Sequence, residues 1–417
     1  MTWLSVVLVA LALLAFLLVA LEDVIHLNKA KSTLFLGTLS WLLLFIFSGR
    51  DSGLTLEALN ENLLEIATLW LFLMAAMTFV AYLNAKGMIA NLIYRVLPQR
   101  IGERALLLLT AAFAFVFSSL ADNITASLVS LTLVLSLQLP PEKTRRFAVM
   151  TVFAVNSGGV ALITGDVTTL MIFISDKVAI PDLMLLALPS LIAVLALALM
   201  LMPGLGGTVT IPRERRQTRR SDRLIAAIFL VTILATLSGN VLFGIPPLLT
   251  FLFGLSVMFL IGHFVERRSE AEERRVLDYI RVIEYDTLLF FLGILLLVGM
   301  LKEIGVLDVL TQGYRVLPVE GANYVMGLLS ALVDNVPLTA ALLKSGIVMA
   351  RPDWMALTYA AGVGGSLLVI GSAAGIIALA KVRVLSFTGY LRFLPALLVA
   401  YSLGFGGAYA IALATGG

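Results

Sequence analysis

The sequence predicts an all-α polytopic membrane protein built from inverted repeats, each with a re-entrant helical hairpin and a broken transmembrane helix. Three observations carry that expectation. Of 417 residues, 60% are hydrophobic and 13% charged, with a mean hydropathy of +1.03, whereas soluble domains carry roughly 25% charged residues. The apolar residues fall in runs such as Thr2 to Leu21 and Leu183 to Met202, each about as long as a helix that crosses the hydrocarbon core. A set of polar landmarks within those runs occurs twice, in the same order.

Composition also removes whole classes of chemistry. With no cysteine and only His26 and His263, disulfides, thiolate catalysis, iron–sulfur clusters and zinc sites drop out, and no cofactor is expected. His26 reads as interfacial, and His263 as ending a span. The net charge of +3 resides in short basic loops, which membrane topology explains better than a nucleic-acid partner does. The first apolar run lacks a basic leading region and is too long for a signal sequence, so it reads as a retained helix in contact with lipid.

Apolar runs place spans near 2–21, 34–49, 63–83, 147–173, 183–202, 224–242, 246–262, 283–301, 354–380 and 393–413, about ten in all. Residues 105–137 and 322–344 are also apolar but carry Asp-Asn in the middle, so each is either a span with a costly charge or a hairpin that enters and leaves on one side. Loop charge decides between them, because Lys and Arg accumulate on the cytoplasmic side. With two hairpins, the Arg clusters 213–223 and 267–281, the basic residues from Lys29 to Arg146 other than Arg50, and those from Lys381 to Arg392 share one side. That side then holds 23 of the 29 basic residues, leaving Arg50, Lys177, Lys302, Arg315, Lys344 and Arg351 outside. Both termini are then periplasmic or extracellular, in a multi-pass protein of the cell (inner) membrane.

The repeat shows in Tyr94-Arg-Val-Leu-Pro98, which recurs as Tyr314-Arg-Val-Leu-Pro318. Glu65 and Thr68 correspond to Glu284 and Thr287. Ser119-Leu-Ala-Asp-Asn123 corresponds to Ala331-Leu-Val-Asp-Asn335, and Gly158-Gly159 with Gly165 to Gly364-Gly365 with Gly371. The offsets lie between 206 and 220 residues. Because the two hairpins enter from opposite sides, the repeats are inverted, an architecture of secondary transporters whose sites lie where the repeats meet. The expected division is 1–62 for N-terminal scaffold helices, 63–202 for the first repeat, 203–281 for a connector with two spans, and 282–417 for the second repeat. Within the connector, 264–281 mixes acids and arginines, which fits either a surface helix at the headgroups or a solvated loop.

An aspartate inside an apolar segment costs roughly 2.5–3.5 kcal/mol on insertion scales, so Asp122 and Asp334 demand a partner, a cavity or a function. Asn123 and Asn335 follow them, and Ser118, Ser119, Thr125, Ser127, Ser330 and Thr339 lie nearby. Carboxylate, amide and hydroxyl oxygens suit a hard cation. The bland alternative is that each Asp-Asn only caps the second hairpin arm. The run Asn156-Ser157-Gly158-Gly159 through Thr164-Gly165-Asp166, Thr168 and Thr169 interrupts a third apolar segment, and such backbone is tolerated at membrane depth only inside protein or along a water-filled cavity. In the second repeat, Gly364-Gly365-Ser366 leads to Ser372 where the first has Asp166, which leans the site toward the first repeat. Glu57, Glu61 and Glu65 share a helical face, and Glu65 alone has a chance of reaching the cavity. Glu284 and Asp286 read as surface acids at a helix start.

These motifs resemble the NhaD-type sodium/proton antiporters of the ion transporter superfamily, from roughly Glu65 to Ala380. The residues that carry it are Ser119-Leu-Ala-Asp-Asn-Ile-Thr125, Asn156-Ser-Gly-Gly with Gly165-Asp-Val-Thr-Thr169, Ser330-Ala-Leu-Val-Asp-Asn-Val-Pro337, and Ile370-Gly-Ser-Ala-Ala-Gly375. The resemblance implies a homodimer with a scaffold part and a transport part that moves like an elevator. In related sodium/dicarboxylate carriers the hairpin tips look like Ser-Asn-Thr; here Asp replaces that Ser twice, which favours a cation. A carboxylate that holds a proton or sodium (or lithium), but not both, couples the two fluxes by competition. On this reading Asp122 and Asp166 are the exchanging acids, and Asn123, Thr125, Asn156, Ser157, Thr168, Asp334, Asn335, Ser366 and Ser372 shape the site. Sodium sits at Asp122, Asn123, Asn156 and Asp166, while Ser119, Glu65, Thr169 and Thr339 are outer candidates. Two other readings stay open: a coupled carboxylate or arsenite carrier of the same superfamily, and an intramembrane aspartyl protease suggested by Thr164-Gly165-Asp166.

Overall fold

The computed structural model describes residues 3–20, 25, 27–49, 51–96, 98–211, 218–266 and 276–415. Long apolar stretches free of proline become α1 (Trp3–Ala20), α2 (Lys29–Phe47) and α3 (Ser52–Ala85), with Asn28 and Asp51 capping the second and third. A short helix α4 (Met88–Val96) leads to α5 (Glu103–Leu120), α6 (Asn123–Ser136), α7 (Pro141–Gly159), α8 (Val167–Ile174) and α9 (Ile180–Leu201). Then follow α10 (Arg220–Phe243), α11 (Pro247–Glu266), α12 (Tyr285–Glu303), the short α13 (Asp308–Val316), α14 (Val319–Val333), α15 (Asn335–Lys344), α16 (Arg351–Gly364), α17 (Ala373–Lys381), the short α18 (Phe387–Leu391) and α19 (Leu394–Thr415).

Eight helices among the described residues are long and apolar enough to cross a membrane. Seven match expected spans, and the eighth is the hairpin arm α5. The other three expected spans are the shorter apolar helix α1 and two helices broken in mid-course, α7/α8 and α16/α17. At 34 residues, α3 is about 51 Å long at 1.5 Å per residue, longer than its apolar run because its outer turns are polar.

Both Asp-Asn segments fold back. Lys143, just beyond the first hairpin, pairs with Glu103 at its start at 2.5 Å, so α5 and α6 begin and end at the same membrane face. In the second, Asn323 near the start of α14 donates through Nδ2 to Asp353 O at 2.9 Å, which returns α15 to the level where α14 began. The broken helices run in opposite senses. Arg145 near the start of α7 donates through Nε to Val384 O, just past α17, at 2.7 Å. Arg351 at the start of α16 clasps Asp182 at the start of α9, with Nε to Oδ2 at 2.7 Å.

The pentapeptide repeat ends α4 and α13, the short helices before each hairpin; Leu97 lies outside the described residues. So do His26, the arginines of 212–217, and residues 267–275 of the suggested surface helix. From the latter segment, Val276–Arg281 forms a 3-10 turn that packs Tyr279 edge-on against Tyr82 at 4.9 Å. A two-stranded ribbon not expected from the sequence pairs β1 (Arg100–Gly102) with β2 (Thr208–Thr210), antiparallel, with Ile101 opposite Val209.

Two groups of helices result. In one, α2 packs on α1 and α12, and α3 on α11 and α12. A Cβ added at Gly37 would fall 2.6 Å from Gly293 O, and one at Gly293 2.3 Å from Leu34 N, so the backbones of α2 and α12 touch. In the other, the hairpins and broken helices interlock with α9 and α19. The groups meet mainly where α12 packs on α15. Close approach recurs in the second group: a Cβ at Gly158 would lie 2.1 Å from Phe115 O. Gly158→Ala is expected to destabilise the protein by about 1–3 kcal/mol through overpacking, read as a lower melting temperature in detergent. Gly406→Ala, with open space around its Cβ, is expected to leave the melting temperature level or raise it.

Candidate ion-binding site

Four helix N-termini at membrane depth have free backbone donors, and each is met by an oxygen-bearing cap. Asp122 caps α6, its Oδ1 accepting from Thr125 N at 2.9 Å and its Oδ2 from Thr125 Oγ1 at 2.7 Å. Asp166 caps α8, with Oδ2 accepting from Thr168 Oγ1 at 3.0 Å. Asp334 caps α15 through Val336 N at 3.1 Å, and Ser372 caps α17 through Gly375 N at 3.3 Å. Asp334 does so at φ +77°, a backbone region unfavourable for a residue with a Cβ. Its counterpart Asp122 has an ordinary φ of −66°.

The asparagines weave the repeats together. Asn123 accepts from Ser118 Oγ at 2.6 Å and donates through Nδ2 to Asn156 Oδ1 at 3.4 Å. Asn156 in turn donates to Ser372 Oγ, in the second repeat, at 2.9 Å. Asn335 donates to Asp166 Oδ2 at 3.1 Å. The acid of the first repeat is thus held by the hairpin of the second, so the site is not confined to the first repeat.

A cavity of about 60 Å³ lies against these tips, enough for a few waters. Asp122, Asn123, Asp166, Asp334 and Asn335 line it, along with Thr164, Gly165 and the hairpin apolar residues. The opposite wall is Leu73 and Met77 of α3, Thr287, Phe290 and Phe291 of α12, and Lys29 of α2. Among the described residues no cluster of three or more carboxylate or imidazole side chains is close enough to hold a metal ion.

The remaining candidates take other places. Thr125 and Thr168 brace the caps behind the wall. Asn156 lies behind Asn123, bridging to Ser372, so of the four expected sodium contacts three line the cavity. Ser157 and Thr339 are buried, with hydroxyl oxygens that lack a hydrogen-bond partner among the described residues. Thr169 donates to Gly159 O at 3.3 Å, Ser119 to Val116 O at 2.8 Å, and Ser366 to Val363 O at 2.5 Å; none of these three lines the cavity. Glu65 does not reach it either. Its side chain is 57% exposed and pairs at 2.5 Å with Lys344, itself 9% exposed, because the end of α15 packs there against α3 and α12. Lys29 was missed as a cavity residue: loop charge assigns it to a cytoplasmic loop, whereas it begins α2 and lines the cavity along with the aspartates.

The family described as citrate transporter matches residues 1–362. The chain is 31% identical over 424 residues to the Na(+)/H(+) antiporter NhaD of Vibrio cholerae, covering 93% of this chain and 88% of that protein. A protein of the same name from Alkalimonas amylolytica is 31% identical over 437 residues, covering 94% and 88%. The chain belongs to the NhaD antiporter family. Similarity extends to Sodium/proton antiporter 1 of Arabidopsis thaliana, 28% identical over 410 residues, covering 92% of this chain and 70% of that protein. Membership of the NhaD family, whose named members are transporters, removes the intramembrane protease reading.

In this NhaD-family chain the capping role of Asp122 can be tested by itself. Asp122→Ala is expected to cost about 0.5–2 kcal/mol of stability through the lost cap, and Asp122→Ser to recover most of it, both measured by thermal melting. A Ser variant that also kept wild-type ion transport would reduce Asp122 to a cap.

Proposed function

We propose that this chain exchanges sodium or lithium for protons across the membrane, with Asp122 and Asp166 as the acids for which the two ions compete. The observation that carries this reading is the meeting of Asp122, Asp166 and Asp334 on one cavity at the crossing of the repeats, in a chain whose relatives are named sodium/proton antiporters. A carboxylate withdrawn from water prefers its neutral form, and a bound sodium prefers it ionised, so each ion expels the other. Asn123 and Asn335 hold the tips, and Asp334 adds negative charge opposite.

The basic end of the molecule supports the orientation. Lys143, Arg145 and Arg146 start α7 and are joined by the Arg145 bond to Val384 O to the end of α17 with Lys381 and Arg383, while Lys177 lies over Trp354 beside Arg351 at the start of α16. The positive-inside rule makes the first group cytoplasmic and puts both chain ends outside. The cavity reaches Lys29 and Thr287, which start helices at the face taken as cytoplasmic, and this suits an inward-facing reading. The thin boundary between the two helix groups suits an elevator movement of the hairpin group, in a homodimer of the inner membrane. Since the chain has no cysteine, Lys177→Cys is expected to react with an impermeant thiol reagent from outside intact cells and Lys143→Cys only after permeabilisation.

A second reading, a coupled citrate-like anion carrier, is favoured by the description of the matched family. Against it, the cavity sets three aspartates against one lysine. In liposomes holding a pH-sensitive dye, added sodium is expected to move protons through the wild type and not through Asp122→Asn or Asp166→Asn. A folded wild type that moves no protons but takes up labelled citrate would overturn antiport in favour of the anion carrier.

A further inference from the structure

Lys29 is the single basic residue on the cavity wall among those described, across from Asp122, Asp166 and Asp334. Its ammonium lies 4.7 Å from the centroid of the Phe290 ring, a cation–π distance, and Phe290 lines the cavity too. The start of α2 is fixed to α12, since Asn28 caps α2 and donates through Nδ2 to Asp286 Oδ2 at 2.8 Å. The touching backbones at Gly37 and Gly293 continue that attachment. Lys29 therefore belongs to the group of helices outside the repeats' interlocked core, while the three aspartates cap α6, α8 and α15 within it. A cation on one body and anions carried on the other thus line one cavity. Among the described residues, Glu284, which accepts from Thr287 Oγ1 at 3.4 Å, is a scaffold acid that interacts electrostatically with both Lys29 and Asp122, and Asp286 holds Asn28 beside it.

We propose that Lys29 is a positioning residue that ties the empty, ionised site to the scaffold and so makes exchange obligatory. The inference rests on the sodium/proton reading above. With neither ion bound, the aspartates carry their full negative charge and are drawn to Lys29 through a poorly screening interior. Sodium or protons cancel part of that charge, and the attraction weakens. A ligand shifts an equilibrium between two states only through its differential interaction with them, and Lys29 supplies that difference: the loaded site leaves the cytoplasmic position and the empty one stays. Neutralising Lys29 frees the empty site to cross, so sodium leaks without exchange.

The test uses the absence of native cysteine. Lys29→Cys is reconstituted in liposomes loaded with radioactive sodium, with the membrane potential clamped, and diluted into alkaline medium without or with external sodium. The readout is efflux without a counter-ion divided by efflux with one. For Lys29→Cys this ratio is expected to rise about fivefold or more over wild type, the lower end of typical coupling effects. An aminoethyl methanethiosulfonate reagent, which restores a positive charge through a mixed disulfide, is expected to return it toward the wild-type value; the neutral methyl reagent is not. Equal ratios in Lys29→Cys and wild type, or equal ratios after the two reagents, overturn the proposal while wild-type exchange leaves antiport standing. A wild type that exchanges nothing overturns antiport and this inference with it. Should Lys29→Cys not reconstitute, Lys29→Gln compared with Lys29→Arg decides on the same ratio.

Discussion

Hydrocarbon offers no partner to a backbone amide, so an interrupted helix survives at membrane depth only where protein groups satisfy the ends it exposes. Among the described residues there are four such interruptions, and each begins its next helix with a side-chain oxygen from Asp122, Asp166, Asp334 or Ser372. The rest of the arrangement follows from keeping those four ends away from lipid. Two hairpins and two broken helices bury their tips against one another, where the arms of the two repeats cross. Three of the four caps are carboxylates, so charge enters the middle of the molecule through the same residues that complete the helix ends.

The crossing is also why neither repeat makes a site alone. Asn335 reaches from the second hairpin to Asp166, and Asn156 reaches from the first broken helix to Ser372. The packing partners are exchanged in the same way, with α6 on α17 and α15 on α8. Two amide side chains thus join the repeats, which gives them a shared polar core within an apolar body.

Much of this was legible in the residues. An Asp-Asn pair in the middle of an apolar run, with basic loops that balance only if the run turns back, specifies a re-entrant hairpin, and glycine pairs followed by polar groups specify a break. Asp122, Asp166 and Asp334 stood out because a charge in an apolar run is costly wherever it lies. Lys29 did not stand out, since a lysine beside a span reads as an anchor at the interface; its position depends on which helix α2 packs against, which periodicity does not encode. Glu65 misled for the same reason. Its helical face is evident from spacing, but its partner Lys344 comes from a helix 279 residues further on. The cross-repeat bond from Asn335 to Asp166 likewise depends on tertiary placement.

The glycine contact between α2 and α12 has a mechanical meaning. Side chains between two helices act as compliant spacers, because rotamers can shift to absorb a small displacement. Where backbone meets backbone, as at Gly37 and Gly293, that compliance is absent, and the Trp41 Nε1 bond to Leu296 O at 2.9 Å pins the pair one turn further along. The two helices then behave as a single stiff beam. Phe290 and Phe291 are mounted on that beam, so the greasy wall of the cavity that the hairpin tips line keeps its shape under load, and any yielding has to come from the other side.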